Sequence, residues 1–250
     1  MDDPKHVLAA ILDAGEVMLT SGAEVSRVEN TIGYMAAAYG FTKVDVFTII
    51  YSIVVTVQDA DGNIETQTRR IENRDTNMRK VELINSLSRR VSRERIPLEE
   101  FKKEVEEIRA QKGYPGWMIL LIYGIVAGAF SVFFGGGIGD AAAACVGGLA
   151  LRMVILAGNR LRIQNIILVM ICSGVAGMIA VLMVRLGIGK SLDMIIIGDI
   201  MMLIPGLALT TSLRDMIRGD LISGLLGLCE AVIRALAIAV GLALVLWRFG

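Results

Sequence analysis

The chain has a single histidine, His6, and only three cysteines among its 250 residues. One histidine excludes a histidine-rich metal centre, and a serine–histidine–acid triad would have to use His6. Cys145, Cys172 and Cys229 fall inside apolar runs without a C-x-x-C pair. We interpret them as small buried side chains rather than disulfide partners or metal ligands. We therefore expect no metal, no other cofactor and no catalytic residues, so the chain is predicted not to be an enzyme.

An excess of charge of one sign is also missing, because 25 Lys and Arg residues balance 25 Asp and Glu residues. This balance gives no indication of a nucleic-acid partner. The charges crowd into the first half, whereas Leu, Ile, Val, Ala, Gly and Met dominate the chain after Pro115. The N-terminus MDDPKHVLAA is acidic and lacks a charged segment followed by a long apolar core, so we expect no signal peptide.

Residues 1–113 predict a small α+β domain. Apolar residues recur at helical spacing on both sides of a break at Gly22, and predict two helices. β-branched alternating segments follow, and the Asp-Gly pair in DADGN predicts a hairpin turn. Two polar-faced helices complete the order α-α-β-β-β-α-α. We interpret Glu24, Arg27 and Glu29 as a solvated helix start with local ion pairs, in preference to a regulatory or catalytic cluster.

Residues 114–250 contain apolar stretches long enough to cross a hydrocarbon core, which takes about 20 residues. The predicted fold class is an α-helical membrane protein, with the α+β domain followed by five transmembrane helices. Lys and Arg in the connecting loops favour a cytoplasmic N-terminal domain and an external C-terminus. The five predicted spans are about 117–134, 141–158, 165–184, 194–213 and 221–247.

Three glycine-rich segments predict turns or close packing. GIGKS (Gly187–Ser191) has Val184 where a phosphate-binding loop needs glycine, and GGGIGD ends in Asp140 where a dinucleotide fingerprint needs glycine. We interpret both as membrane turns and not as nucleotide sites. The small-xxx-small pattern GIVAG (Gly124–Gly128) predicts close helix packing.

Charges within the spans are the strongest functional candidates, because each costs roughly 2.5–3.5 kcal/mol at a helix centre. Arg152 either belongs to a functional site or extends its side chain so that the guanidinium group reaches the membrane surface. Glu230 and Arg234 share a helix face at i,i+4, either as a structural ion pair or as a substrate-binding pair. Asp199 has no opposite charge at i±3 or i±4 and is the best candidate for a proton or substrate site.

A backbone break follows Asp199. Pro205 removes an N–H donor and disturbs the preceding turn, and Gly206 lets the chain depart further from a helix. Broken helices form substrate sites at membrane depth in transporters, although a structural kink is the simpler alternative. Thr210 and Thr211 follow the break, and we add them with Pro205 and Gly206 to the predicted substrate or proton site.

The segments LTSGAEVSRVENTI, GDIMMLIPGLALTTSLRDMIRGDLISG and EAVIRALAIAVG resemble the threonine/serine exporter family, over about Leu8 to Gly241. The resemblance implies the larger subunit of a split form, whose small multi-span membrane partner supplies further spans. It also implies proton-driven export of threonine and serine, while some split members are linked to dicarboxylates such as succinate. An Asn often follows the Thr after IPG in this family, whereas Thr211 stands there here.

We therefore predict a subunit of a proton-coupled secondary transporter for small amino acids in the inner or plasma membrane. Its expected partners are the small membrane subunit, a small-molecule substrate and the lipid bilayer, and a homo-oligomer stays an open alternative. A second reading is dicarboxylate export, with Arg152 and Arg234 binding the two carboxylates. A third reading, from another class, is a membrane-anchored enzyme or sensor that acts through residues 1–113.

Overall fold

The structure is a computed structural model that describes residues 3–72 and 74–249. In chain order the elements are α1 Pro4–Thr20, α2 Val25–Ala38, β1 Lys43–Ile49, β2 Ser52–Gln58, β3 Ile64–Arg70, α3 Met78–Glu94, α4 Leu98–Ala110, α5 Gly116–Phe133, α6 Ile138–Arg160, α7 Asn165–Arg185, α8 Leu192–Ile200, α9 Gly206–Arg218 and α10 Leu221–Phe249.

These elements form two compact units. The first contains the described residues up to Lys112 together with Leu207–Leu228. The second contains Gly113–Gly206 and the described residues from Cys229 onward, so α10 contributes to both units. Residues 207–228, which the sequence pattern had joined to the membrane half, therefore belong to the same unit as the N-terminal domain.

The first unit confirms the predicted order α-α-β-β-β-α-α. Its antiparallel sheet has the order β1-β2-β3, and the central strand β2 buries Ile53, Val55 and Val57 in the core. Burial of each such side chain contributes about 1.5–3 kcal/mol. The largest buried side chains around them come from α1, α2, α3 and α4, including Phe101.

The predicted hairpin turn between β2 and β3 is also confirmed. The Asp59 carboxylate accepts hydrogen bonds from the backbone amides of Asp61 (3.0 Å) and Asn63 (2.8 Å). Gly62 adopts a positive φ of 88°, which costs glycine no steric strain. These hydrogen bonds hold the pKa of Asp59 below its usual range, and the side-chain amide of Asn63 makes the largest contribution.

The described residues include four helices that are long and apolar enough to cross a membrane, namely α5, α6, α7 and α10. The prediction of five spans is not confirmed, because the segment 194–213 is divided between α8 and α9. Residues 201–205 separate these two helices and lie outside regular helix. The physical reason is the sequence signal itself: Pro205 has no N–H with which to continue a helix through this point.

Glycines bring α5 and α6 into close contact in the second unit. A Cβ atom on Gly124 would lie 3.2 Å from the carbonyl oxygen of Cys145, and one on Gly128 would lie 3.0 Å from that of Ala141. Both separations are tighter than ordinary van der Waals contact. The close packing predicted from GIVAG is therefore confirmed, and the partner helix is α6.

Asp140 connects the two glycine-rich turns. Its carboxylate accepts hydrogen bonds from the backbone amides of Gly137 (2.9 Å), Lys190 (2.6 Å) and Ser191 (2.9 Å). The amides of GIGKS thus bind an anion of the same chain. These hydrogen bonds connect the start of α6 to the segment between α7 and α8. Both glycine-rich segments therefore have a structural role.

Candidate functional site

Asp199 is fully buried on α8 in the second unit. Neither carboxylate oxygen forms a hydrogen bond with another described residue. A buried, unpaired carboxylate is costly, and taking up a proton removes its charge. Asp199 therefore has the surroundings expected of a group that binds and releases a proton or meets a cationic group of a substrate.

Gly147 on α6 provides the space that Asp199 occupies. A Cβ atom at position 147 would overlap the Asp199 carboxylate. On the adjacent position of α8, Gly198 lies against Ser131 and the carbonyl oxygen of Ala127 on α5. Ser131 is itself buried, and its hydroxyl oxygen has no hydrogen-bond partner among the described residues. Sequence reasoning missed both Gly147 and Ser131, because small residues are common throughout apolar helices.

The break after α8 is short. The Ile204 amide still donates to the Ile200 carbonyl (3.2 Å), and the Gly206 amide donates to the Ile204 carbonyl (2.9 Å). Pro205 lies between these contacts, immediately before α9 begins at Gly206. A Cβ atom on Gly206 would meet nothing within 4 Å, so no close neighbour requires a glycine at this position.

A cavity of about 210 Å³ lies in the second unit beside the break. Its lining includes Arg234 and the break residues Met202 and Leu203, together with Asn159 and Asn165. No carboxylate is among the residues that line it. An arginine and two amides are suited to binding a carboxylate, because guanidinium and amide groups donate hydrogen bonds to its oxygens.

Tyr123 connects this cavity with the second predicted arginine. The ring lines the cavity, and the Arg152 guanidinium lies over the ring at 5.5 Å from its centroid. The Arg152 Nε atom is buried without a hydrogen-bond partner among the described residues. Arg152 thus contacts an aromatic side chain that lines the same cavity as Arg234, a relation that the spacing of charges did not indicate.

Glu230 and Arg234 differ in their surroundings although they lie one turn apart on α10. Glu230 is exposed and Arg234 is half-buried. Cys229, expected to be buried, is exposed. The spacing of residues on one helix face does not determine how deeply each is buried.

Thr210 and Thr211 belong to α9 in the first unit. Their hydroxyl groups donate to the Leu207 carbonyl. Arg152, Asp199, Pro205, Gly206, Glu230 and Arg234 all belong to the second unit. The predicted site residues therefore divide between the two units.

The interpretation of Glu24 as part of a solvated cluster with local ion pairs is wrong. Its side chain is only 9% exposed, and it forms ion pairs with Arg214 and Arg218 of α9. The Arg218 guanidinium also donates to the Ser26 hydroxyl (3.0 Å). These partners lie about 190 positions away in the sequence, so short-range charge patterns could not reveal them.

Asp215 completes this charged cluster in the first unit. It is 3% exposed, and one of its oxygens has no hydrogen-bond partner among the described residues. Burial raises the pKa of Asp215 to about 6, and repulsion from Asp220 and Glu24 adds to the shift. The Val25 backbone amide and Arg218 act in the opposite direction. Arg214, Asp215 and Arg218 of α9 therefore form a docking surface for the start of α2.

Membrane-length helices around a buried acid and a broken helix define a polytopic membrane protein. The profile of the family ThrE, described as "Putative threonine/serine exporter", matches residues 9–247. The chain belongs to this transporter family. The "Probable succinate transporter subunit YjjP" of Klebsiella aerogenes is 24% identical over 234 residues, which cover 93% of this chain and 90% of that protein. No solved structure matches the chain.

Proposed function

We propose that the chain is a subunit of a proton-coupled secondary transporter that exports small amino acids, of which threonine and serine are the expected examples. The observation that carries this proposal is Asp199, a buried acid without a hydrogen-bond partner among the described residues, six positions before Pro205. The family description supports export of threonine and serine. Asp199 would bind the coupling proton or the substrate ammonium group.

Arg234 would bind the substrate carboxylate. Its cavity of about 210 Å³ is smaller than the roughly 300–1,000 Å³ of drug-sized sites, and therefore suits a small metabolite. Pro205 and Gly206 would let Met202 and Leu203 line this cavity instead of continuing a helix. Glu230, one turn from Arg234, would orient that guanidinium from the exposed face of α10.

A small multi-span membrane protein is the proposed partner. Its support is the word "subunit" in the name of the Klebsiella aerogenes relative, together with the split form that the sequence resembles. We place the chain in the inner or plasma membrane with residues 1–113 in the cytoplasm. The basic residues of the connecting loops support this orientation. The exposed leucine and isoleucine side chains of α9 also suit contact with lipid.

Dicarboxylate export is the second candidate function. The lining of the Arg234 cavity contains no carboxylate that would pair with an ammonium group, and Arg152 offers a second guanidinium beside Tyr123. Two cations suit two carboxylates. The name of the relative, a succinate transporter subunit, points in the same direction.

Inside-out vesicles from the native membrane test both candidates. With an imposed proton gradient, labelled threonine should accumulate and unlabelled serine should compete for it, while succinate should not. Stronger competition by succinate would favour the second candidate. Asp199→Asn should reduce the rate of proton-driven accumulation to below about a tenth of the wild-type rate. A tenfold decrease corresponds to about 1.4 kcal/mol of activation free energy.

Asp193→Asn is the matched control, because Asp193 is an exposed acid on the same helix. It should transport like the wild type. The amounts of both variants in the membrane are measured by immunoblotting. Wild-type transport by Asp199→Asn at an equal amount of protein would refute the proton role.

A further inference from the structure

A second cavity, of about 260 Å³, lies wholly within the first unit. It is formed by the α1–α2 connection, the start of α2, the first turn of α3 and the exposed side of α9. Its lining residues are Gly22, Ala23, Glu24, Arg27, Met78, Val81, Leu207, Thr210, Thr211 and Arg214. Of the predicted site residues, Thr210 and Thr211 line this cavity, and the transport function proposed above gives them no role.

Arg27 is the distinctive group of this lining. It is exposed, and it forms no hydrogen bond or ion pair with any described residue. The other two charged residues of the lining already have partners, because Glu24 pairs with Arg214 and also with Arg218. The cavity therefore presents one uncompensated guanidinium, which is a preferred donor to carboxylates.

Two hydroxyl groups face the same space. Thr210 and Thr211 use their hydroxyl hydrogens to bond the Leu207 carbonyl, at 3.0 Å for Thr210. A hydroxyl oxygen that donates its hydrogen keeps its lone pairs as acceptors. These oxygens can accept hydrogen bonds from an ammonium or hydroxyl group of a ligand, while Met78 and Val81 supply an apolar wall.

We propose that this cavity is a binding site for a small carboxylate-bearing metabolite, held by Arg27 through its carboxylate and by Thr210 and Thr211 through its remaining polar groups. The ligand would be the transported solute, and this identification rests on the proposed function. The site is distinct from the Arg234 cavity, since the two belong to different compact units.

The position of α9 gives such a site a consequence for transport. α9 begins directly after Pro205 and carries Thr210, Thr211 and the Glu24 partner Arg214. A ligand that bridges Arg27 and the threonines would add a contact between α2 and α9. Occupancy would therefore stabilise the docked position of the helix that follows the break.

Equilibrium binding to the purified full-length chain in lipid nanodiscs tests the proposal. The probes are labelled threonine and labelled succinate, with inorganic phosphate as competitor. The measurements are made with Arg234→Gln, which weakens the other cavity. We expect saturable binding of one carboxylate probe. Adding Arg27→Gln should weaken it by about tenfold to a hundredfold, as expected for the loss of a charged hydrogen bond.

Arg93→Gln on the same background is the matched control, since Arg93 is exposed on α3 and lies outside the cavity lining. It should leave the affinity unchanged. Arg27→Lys should restore part of the affinity, which a folding defect would not allow. Unchanged affinity in Arg27→Gln, or displacement by phosphate in preference to both carboxylates, would overturn the proposed site.

The outcome is separable from the proposed transport function. Asp199→Asn should still bind the carboxylate probe through Arg27 even where it fails to transport. If the wild-type protein shows no binding that depends on Arg27 but still transports, only this site is refuted. Wild-type transport by Asp199→Asn would refute only the proton role.

Discussion

The Asp199 carboxylate occupies the space that a side chain at position 147 would fill, because Gly147 of α6 faces it directly. The buried acid therefore depends on a glycine 52 positions earlier in the sequence. Both residues lie in the second unit, and the acid makes no hydrogen bond there with a described residue.

Gly147→Ala should lower transport by displacing the Asp199 carboxylate. The added methyl group would overlap that carboxylate, so α6 and α8 would have to separate. Proton-driven accumulation in vesicles measures the effect, at matched amounts of protein. Gly33→Ala is the control, because a Cβ atom there meets nothing within 4 Å. That control should stabilise α2 by about 0.5–1 kcal/mol and leave transport intact. Undiminished transport by Gly147→Ala would contradict the prediction.

Glu24→Gln should loosen α9 from the start of α2. It removes the anion shared by Arg214 and Arg218, whose side chains are 56% and 47% exposed. Because the guanidinium groups stay partly solvated, we expect a loss of about 1–3 kcal/mol, less than for a fully buried pair. Amide hydrogen exchange of α9 in the full chain measures the change.

Glu99→Gln is the control for this loss, since Glu99 pairs with Lys102 at the surface. Such pairs contribute about 0–1 kcal/mol, so the exchange of α9 should be unaffected. A double-mutant cycle with Arg214→Gln isolates the pair. Additive effects of Glu24→Gln and Arg214→Gln would show that the ion pair does not hold α9.

Asp215 should make the stability of the first unit depend on pH. The pKa of Asp215 is about 6 in the folded chain, above its ordinary value of about 3.9. The folded state therefore binds this proton more tightly, and the resulting stability is lost as the pH rises through about 6. Asp215→Asn should flatten the decrease in the thermal unfolding midpoint between about pH 4 and pH 7.

Asp45→Asn provides the comparison for this pH dependence, because Asp45 is exposed at the surface. Its curve of unfolding midpoint against pH should run parallel to that of the wild type. The size of the Asp215 contribution is on the order of 2 kcal/mol, from a shift of about two pKa units. If the curves for Asp215→Asn and the wild type run parallel, the buried Asp215 carboxylate does not cause the pH dependence of stability.

Gly128→Val should separate α5 from α6. The Cβ atom alone would lie 3.0 Å from the Ala141 carbonyl oxygen, and the two further methyl groups have no room. We expect destabilisation of about 1–3 kcal/mol, as for other overpacked contacts. Ala129→Val on the exposed side of α5 is the control. The unfolding midpoint in detergent is the measurement, and equal midpoints for the two variants would contradict tight α5–α6 packing.

Much of the fold could be predicted from local patterns. Gly22 and Gly40, with positive φ, lie where the first two helices end, and Gly62 forms the expected turn. The apolar runs predicted α5, α6, α7 and α10, the four helices among the described residues that are long enough to span a membrane. The prediction of one span over 194–213 is not confirmed, because its apolar composition continues through Pro205 although its helix does not.

The candidate site was predictable only in part. Asp199 was found from its charge within an apolar run, and Pro205 from its missing donor. Burial without a partner, the overlap with Gly147 and the grouping of Arg234 with Asn159 all depend on how separate helices pack. No local pattern encodes these relations.

The sequence by itself determined the order of helices and strands in the first half and the turn at Gly62, because those choices depend on near neighbours: hydrophobic period, glycine and proline. Only the tertiary structure decided what each polar group meets. Glu24 takes its partners from α9, and Asp199 takes none among the described residues. Both outcomes follow from packing between segments that lie far apart in the chain, where burial gives each charge a large energetic cost unless another segment neutralises it.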